Sequence, residues 1–283
     1  MIRKVRDDLG RDLMFARPPE RIVSLVPSDT HSLCALGVGD RVVGRTRYCH
    51  DALAAPEVGG TKDVDVERVI ELAPDLVIAN QEENARPALE QLAARGVRVL
   101  VSLPRRVADA VAHLARLARA VGVAEDPAVV ELVRRGYALT QGAPPASELA
   151  VAVPIWMDPL MTFNAETYGS DVLTWAGATN VFGDRQRLYP LTADLGKGPA
   201  IEASGRDVRY PRITREELAA RAPEVIALPD EPHPFTDDDA ASLAASVPAA
   251  RVARIDGKDL FWYGAWTIEA VPRIRAWVQA QRR

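Results

Sequence analysis

Apolar residues along this chain occur in short blocks that alternate between strand-like runs and helical spacing. Residues 21–26 and 75–79 are mainly apolar runs bounded by polar or turn residues, as in the buried strands of parallel sheets. Over residues 65–73, apolar side chains recur every three or four positions behind Asp65, which can cap a helix. Alternation of buried strands with amphipathic helices predicts an α/β fold.

The same pattern predicts elements along the rest of the chain. Pro27 is expected to stop the first strand, Asn84 to cap a helix, and Thr214 to form a capping box with Glu217. A hairpin is predicted over residues 2–15, and further strands over 41–44, 97–101, 149–154, 225–228 and 251–255, with 181–183 echoing 42–44. Further helices are predicted over residues 29–36, 84–96, 107–121, 168–176, 237–245 and 267–281.

One unit of this pattern is repeated. Residues 65–79 align with residues 214–228, so that Glu67 falls on Glu216 at an offset of 149 positions. Each copy has a cap, a short amphipathic helix, an Ala-Pro break and a buried strand. Few positions are identical, so the evidence for a repeat is the shared order of these elements. A repeat at this distance predicts two similar lobes that hold a ligand in the cleft between them.

The segment between the two copies predicts a helix over residues 126–140. Asp126 and Pro127 are a capping carboxylate followed by proline at the first helical position, and an apolar stripe follows. The fold class predicted is therefore α/β, with two Rossmann-like lobes bridged by one long helix. The lobes are assigned to residues 1–124 and 143–283, and the bridging helix to 125–142. A helical connection is stiff and predicts small closing motions.

Composition narrows the functional classes. The chain has 283 residues, a formal net charge of −4 and a pI near 5.7, which argues against a dedicated nucleic-acid binder. The first residues contain no apolar segment of the kind found in signal peptides, which predicts a cytoplasmic protein as the sequence stands. Two cysteines do not make a disulfide framework. We expect a monomer.

Ligands of open α/β sheets bind beyond the carboxyl ends of the strands, so the loops that follow predicted strands are the candidate site. Three tryptophans in these loops could form flat walls for a macrocyclic or aromatic ligand, or could pack within the lobe. The predicted ligand-binding residues are Pro27, Ser28, Tyr48, Cys49, His50, Lys62, Glu82, Trp156, Met157, Phe163, Glu231, His233, Trp262, Tyr263 and Trp266.

Histidines and cysteines give no metal motif. Tyr48, Cys49 and His50 could each ligate a metal, but adjacent residues rarely bind one ion together and no second cluster has zinc spacing. His50 and His233 follow strands in opposite lobes and could meet across the cleft, whereas His113 is expected on a solvated helix face. We therefore assign no metal site and no cofactor of the protein's own, although the ligand could itself contain cobalt or iron.

Charged residues offer alternatives of a different kind. The cationic side chains Lys62, Arg45, Arg47, Arg105 and Arg209 could receive a carboxylate or phosphate, or could simply face solvent. The sequence contains no nucleophile elbow, Walker loop, dinucleotide fingerprint or zinc-protease motif, so no catalytic residue is assigned and no enzyme is predicted. The acidic pairs Glu82-Glu83 and Asp230-Glu231 lack evident partners for acid–base chemistry.

Several of these segments together resemble a known family. They are the strand ending in Pro27-Ser28, the segment Val58-Gly-Gly-Thr-Lys-Asp63, the run Ala73-Pro-Asp-Leu-Val-Ile78 and the central helix. In this order they are similar to class III substrate-binding proteins, the helical-backbone receptors of ABC importers for cobalamin, ferric siderophores and haem. The resemblance covers nearly the whole chain and is closest to the vitamin B12-binding branch.

The resemblance implies a function and partners. It implies binding of a corrinoid, haem or ferric-siderophore-like ligand and delivery to an ABC permease and ATPase, in the periplasm or cell envelope. It also implies that Glu67 and Glu216 dock on arginines of the transporter, although carboxylates in a first helical turn also stabilise the helix by about 0.3–1 kcal/mol. The alternative is a cytoplasmic metal- or cofactor-handling protein, or an enzyme, on the same scaffold.

Overall fold

The protein divides into two compact units in a computed structural model that describes residues 2–52 and 54–282. The first unit contains Met1–Pro104, Ala108–Ala138 and Trp262–Ile268. The second contains Arg105–Val107, Leu139–Phe261 and Glu269–Arg283. The α/β class is confirmed, whereas the lobe boundaries at residues 124 and 142 stay a prediction. None of the helices among the described residues is long and apolar enough to span a membrane.

The first unit is built on a parallel sheet with a separate hairpin. The hairpin pairs β1 (Arg3–Arg6) with β2 (Asp12–Phe15), and the sheet has the order β4–β3–β5–β6. The sheet strands are β3 (Ile22–Ser24), β4 (Val42–Arg45), β5 (Leu76–Asn80) and β6 (Val99–Ser102). The helices are α1 (Pro27–Ala35), α2 (Val66–Glu71), α3 (Arg86–Ala94), α4 (Val107–Val121) and α5 (Pro127–Ala138).

The second unit repeats this sheet. Its order is β10–β7–β11–β12, again parallel, and a short hairpin pairs β8 with β9. The strands are β7 (Leu149–Ala152), β8 (Trp156–Met157), β9 (Leu160–Met161), β10 (Ala178–Asn180), β11 (Val225–Pro229) and β12 (Arg251–Ile255). The helices are α6 (Tyr168–Ala176), α7 (Leu191–Asp194), α8 (Arg215–Ala220), α9 (Asp237–Ser246), α10 (Gly257–Phe261) and α11 (Thr267–Gln281).

The sequence repeat is confirmed in the backbone. Helices α2 and α8 and strands β5 and β11 begin and end at positions that are all 149 residues apart. Asp65 and Thr214 cap the two helices through their side chains. Ala73 and Ala222 both adopt left-handed backbone angles, with φ of 43° and 46°, before the prolines of the Ala-Pro break. A non-glycine residue in this region is uncommon, so its occurrence at both equivalent positions argues for one duplicated unit.

The sheet of the first unit is covered on both faces. Leu76 and Ile78 pack in one apolar cluster with Leu114 and Leu117 of α4, and Val77 packs in another with Leu92 of α3. Burial on both faces explains why these strands lack alternating polar residues. Complete burial of each such side chain contributes roughly 1.5–3 kcal/mol.

Helix α5 forms within the predicted segment, from Pro127 to Ala138. The Asp126 carboxylate accepts a hydrogen bond of 2.8 Å from the backbone N–H of Ala128. Gly136 lies so close to α4 that a Cβ there would be 2.8 Å from Val111. The helix therefore packs tightly within the first unit, and its predicted role as a bridge between lobes stays a prediction.

Three local predictions are wrong, and one helix begins earlier than predicted. The first strand ends before Pro27, as predicted, but α1 begins at Pro27 and not at residue 29, because proline suits the first helical turn. Asn84 does not cap α3, since its side-chain oxygen accepts from the backbone N–H of Asn80. No strand is assigned at residues 181–183. The complete capping box is formed by Thr236 and Asp239, whereas Thr214 makes only the forward bond to Glu217.

Candidate functional site

A buried hydrogen-bond network lies at the carboxyl edge of the first sheet. Asp29 in α1 has no exposed surface, and its two oxygens bind His113 Nε2 at 2.7 Å and the Tyr263 hydroxyl at 2.9 Å. The same hydroxyl lies 3.1 Å from Asn80 Nδ2 and 2.9 Å from Ser102 Oγ. Asn80 and Ser102 are paired last residues of β5 and β6, so this network joins α1, α4 and the strand ends to segment 262–268.

The geometry assigns the tautomer of His113. Its Nε2 faces the Asp29 carboxylate, which can only accept, so Nε2 carries the proton. Its Nδ1 is buried without a protein partner among the described residues. The whole His113 side chain has no exposed surface. The prediction of a solvated His113 is therefore wrong.

Tyr263 carries the largest electrostatic perturbation in this network. Burial, and then the negative charge of Asp29, raise the pKa of Tyr263 well above its ordinary value. The phenol therefore stays protonated and remains a donor to the carboxylate. This side chain was predicted to contact ligand, but its position inside the first unit instead allows it to hold its neighbours in place.

Tryptophans on either side of Tyr263 form an aromatic cluster with two histidines. Trp262 and Trp266 have ring centroids 5.3 Å apart. His50 stacks on Trp262 at 6.1 Å and 19°, and His31 meets Trp266 edge-on at 4.9 Å. We call these four residues the first aromatic cluster. His50 is exposed and Trp266 is half-buried, so the cluster presents ring surface to solvent.

The backbone of segment 262–268 is fitted closely to α1. The N–H of Ala265 donates to Ser32 Oγ at 3.0 Å. Gly264 has φ of 75°, and a Cβ there would be 2.3 Å from the same oxygen. Glycine is therefore required at this position both for its backbone conformation and for the close approach. His31 is fixed in turn by Asp51, whose Oδ2 lies 2.9 Å from its Nδ1.

The remaining predicted residues of the first unit differ in accessibility. Tyr48 is 52% exposed and Lys62 is exposed, with its ammonium donating to the backbone carbonyl of Glu82. Cys49 is buried, and its sulfur lies 3.0 Å from Thr30 Oγ1 and 3.2 Å from Thr46 Oγ1. The exposed side chains that could meet a ligand directly are thus Tyr48, His50 and Lys62, whereas Pro27 and Glu82 are half-buried and Ser28 is buried.

A second aromatic cluster lies at the carboxyl edge of the other sheet. His233 follows β11, and its ring lies 5.2 Å from that of Trp156 and 4.7 Å from that of Phe235. Trp156 is 44% exposed and begins β8, four residues after the end of β7 at Ala152. We call Trp156, His233 and Phe235 the second aromatic cluster. Met157, next to Trp156, is half-buried and packs on the apolar core of this unit.

Two other predicted residues of the second unit have internal surroundings. Phe163 is 1% exposed and packs edge-on against Phe261 at 5.9 Å, so it belongs to the core. Glu231 is half-buried beside Gly257, whose N–H donates to Asp230 Oδ1 at 2.8 Å. Among residues 2–52 and 54–282, no three His, Cys, Asp or Glu side chains are grouped as metal ligands.

The two candidate docking carboxylates are exposed but differently engaged. Arg95 binds Glu67 with two nitrogen–oxygen distances of 2.5 and 2.8 Å and lowers the pKa of that carboxyl. The pKa of Glu216 is also lowered, by its own backbone N–H and then by Thr214. Glu67 is therefore already paired with a guanidinium, whereas Glu216 accepts hydrogen bonds from groups at the start of its own helix.

Comparison with known proteins places the chain in a family. Residues 22–251 match the family model described as Periplasmic binding protein. A vitamin B12-binding protein of Photorhabdus laumondii is 27% identical over 215 residues, covering 74% of this chain and 70% of that protein. One from Yersinia pestis is 29% identical over 224 residues, with coverages of 75% and 70%.

Solved structures agree on the fold. The periplasmic vitamin B12-binding protein BtuF of Vibrio cholerae has a TM-score of 0.69 at 20% identity, covering 94% of this chain and 99% of that one. The periplasmic haem-binding protein RhuT of a Roseiflexus species has a TM-score of 0.73 at 20% identity, covering 93% and 99%. The chain belongs to the periplasmic binding protein family.

Proposed function

We propose that this protein is the substrate-binding subunit of an ABC importer and binds a corrinoid, haem or ferric-siderophore-like ligand without transforming it. The observation that carries the proposal is the pair of partly exposed aromatic clusters, each at the carboxyl edge of a parallel sheet. Relatives named as vitamin B12-binding proteins and a fold shared with haem-binding proteins support this ligand class.

The chemistry of the clusters suits a large, flat ligand. Indole and imidazole rings bury much apolar area with little loss of side-chain freedom, and each retains a polar edge. In the first unit, the exposed side chains of Tyr48, His50 and Lys62 offer a phenol, an imidazole and an ammonium. A few polar groups on an apolar wall can orient a macrocycle or reach an axial position on its metal.

Delivery to a permease is the second part of the proposal. Glu67 and Glu216 occupy equivalent positions in the two copies of the repeat, and both side chains face solvent. Carboxylates presented in this way can pair with arginines of a transporter, and membership of the periplasmic binding protein family supports an encounter in the periplasm or cell envelope. Arg95 must leave Glu67 before such a pair can form.

Binding can be tested by titrating the purified protein with cyanocobalamin, dicyanocobinamide, haem and two ferric siderophores while tryptophan fluorescence is recorded. Saturable quenching by at least one probe is expected, and Trp156→Ala and Trp266→Ala should weaken it. Trp175→Ala, on a helix of the second unit, is the matched control. Absence of binding by every probe, equal loss in the control, or turnover of the bound probe would contradict the proposal.

A further inference from the structure

A second tyrosine in the molecule is surrounded by positive charge. The guanidinium carbons of Arg187 and Arg206 lie 4.5 and 4.1 Å from the ring centroid of Tyr189, both within cation–π range. The Tyr189 hydroxyl donates to the backbone carbonyl of Asp207 at 2.6 Å, which fixes the ring. Residues 185–209 contain five Arg or Lys and three Asp or Glu, so the local net charge is +2 in a chain of net charge −4.

The carboxylates of this segment do not neutralise Arg187. Asp207 is bound by Arg209 through two nitrogens, at 2.9 and 2.6 Å. Asp194 is buried, and its Oδ1 lies 3.0 Å from Arg185. Within the part of the chain that the structure describes, the Arg187 side chain has no hydrogen bond or ion pair, and its Nε is buried without an acceptor.

A further arginine adds to this crowding. Burial, and then the positive charge of Arg187, lower the pKa of Arg212. Its guanidinium donates a hydrogen bond to the carbonyl of Tyr210, and its backbone N–H donates to Asp194. Two half-buried guanidinium groups that repel each other are destabilising unless an anion lies between or beside them.

The backbone that carries these arginines is hydrogen-bonded to the strand pair that carries Trp156. The backbone strip that carries Arg209 and Arg212 runs along β9, with a bridge between Met161 and Arg212. Thr162 N–H donates to the Pro211 carbonyl at 3.1 Å, and Arg187 N–H donates to the Val208 carbonyl at 2.8 Å. β9 pairs with β8, which contains Trp156, so the backbone segments that carry Arg187, Arg212 and the exposed indole belong to one hydrogen-bonded assembly.

We propose that Arg187 and Arg212, flanked by Tyr189 and Arg206, bind an anionic group, a carboxylate or a phosphate, of the molecule that this protein carries. Guanidinium groups bind both oxyanions through paired N–H donors, and a partly buried setting strengthens the interaction. The proposed function supplies the carried molecule, so this inference rests on it. The expected ligand is therefore an apolar macrocycle or a metal chelate that also bears an acidic group.

Two probes that differ only in charge test the ligand side. Iron protoporphyrin IX has two carboxylates that its dimethyl ester lacks, and both can be titrated by tryptophan quenching. The wild type should bind the free acid about 10- to 100-fold more tightly than the ester. Arg187→Gln combined with Arg212→Gln should abolish that preference, and exposed Arg251→Gln should keep it. Equal affinity of the wild type for both probes, or a preference retained by the double variant, overturns the proposal.

A second measurement needs no porphyrin. Thermal unfolding is followed with 5 mM phosphate or citrate against sodium chloride of equal ionic strength. Both anions should raise the Tm of the wild type and of Arg251→Gln, and leave that of the double variant unchanged, with circular dichroism confirming that it is folded. An equal response in all three proteins overturns the site. Failure of both porphyrins to bind while the anion response is specific would count against the tetrapyrrole function alone.

Discussion

Tyr263 donates a hydrogen bond of 2.9 Å to Oδ2 of Asp29, a carboxylate with no exposed surface. These residues are 234 positions apart, and the bond fixes the short segment that carries Trp262 and Trp266. The rings that face solvent in the first aromatic cluster are therefore positioned by a buried polar contact. Placement of the candidate ligand surface depends on internal hydrogen bonding as much as on packing.

Tyr263→Phe should reduce the free energy of unfolding by about 1–3 kcal/mol, because Asp29 loses a donor in a site that water does not reach. Urea unfolding measures this loss, and the tryptophan emission should shift to the red as Trp262 and Trp266 loosen. Tyr48→Phe removes a hydroxyl from an exposed ring and serves as the control. Equal stability of both variants would show that the Asp29 bond contributes little.

Tyr263 should also make the protein sensitive to alkali. Its pKa is raised in the folded state, so above pH 10 the unfolded chain releases this proton while the folded protein retains it. The free energy of unfolding then falls by as much as about 1.4 kcal/mol per pH unit for this one group. The stability difference between wild type and Tyr263→Phe should narrow between pH 9 and about 11.5. A constant difference over that range would contradict the assignment.

Trp156 and Trp262 should respond differently to substitution. Trp156 is 44% exposed, so Trp156→Ala should leave stability almost unchanged and weaken ligand binding by about 1–3 kcal/mol. Trp262 is 7% exposed, so Trp262→Ala should also destabilise the fold, by about 3–5 kcal/mol. Urea unfolding and fluorescence titration of both variants separate the two effects. Loss of stability in Trp156→Ala would assign this ring to the core.

Glu67→Gln combined with Glu216→Gln should preserve ligand affinity and weaken binding to the transporter. Arg95→Gln should have the opposite effect on docking, since it frees Glu67 from its bidentate partner. Ligand uptake by cells and co-purification with the cognate permease measure the effect of each variant on docking. Because Glu67, Arg95 and Glu216 are exposed, each of these changes should lower the free energy of unfolding by no more than about 1 kcal/mol. Unchanged uptake in the double variant would reject a docking role.

Local pattern predicted the duplicated unit well, because cap, helix, break and strand are consecutive in the chain. It did not predict the pairing of Asp29 with His113, which are 84 positions apart, since a histidine on an amphipathic helix looks the same whether it faces solvent or a buried carboxylate. Likewise, the two-residue strands of the β8–β9 hairpin are too short to show a period. Asn84 is a residue type that often caps helices, but its side-chain oxygen instead accepts a hydrogen bond from the backbone N–H of Asn80, the last residue of β5.

The assignment of Trp262–Ile268 to the first unit has a practical consequence for genetic dissection. Fragments ending at Ala138 would retain the sheet and helices of that unit yet lack the phenol that Asp29 requires. Cutting the chain once therefore does not yield a complete first unit. The seven missing residues, Trp262–Ile268, would have to be fused to the fragment or added as a separate peptide. If adding this peptide restored the fold of the fragment, binding of the peptide would serve as an assay for the integrity of the first unit.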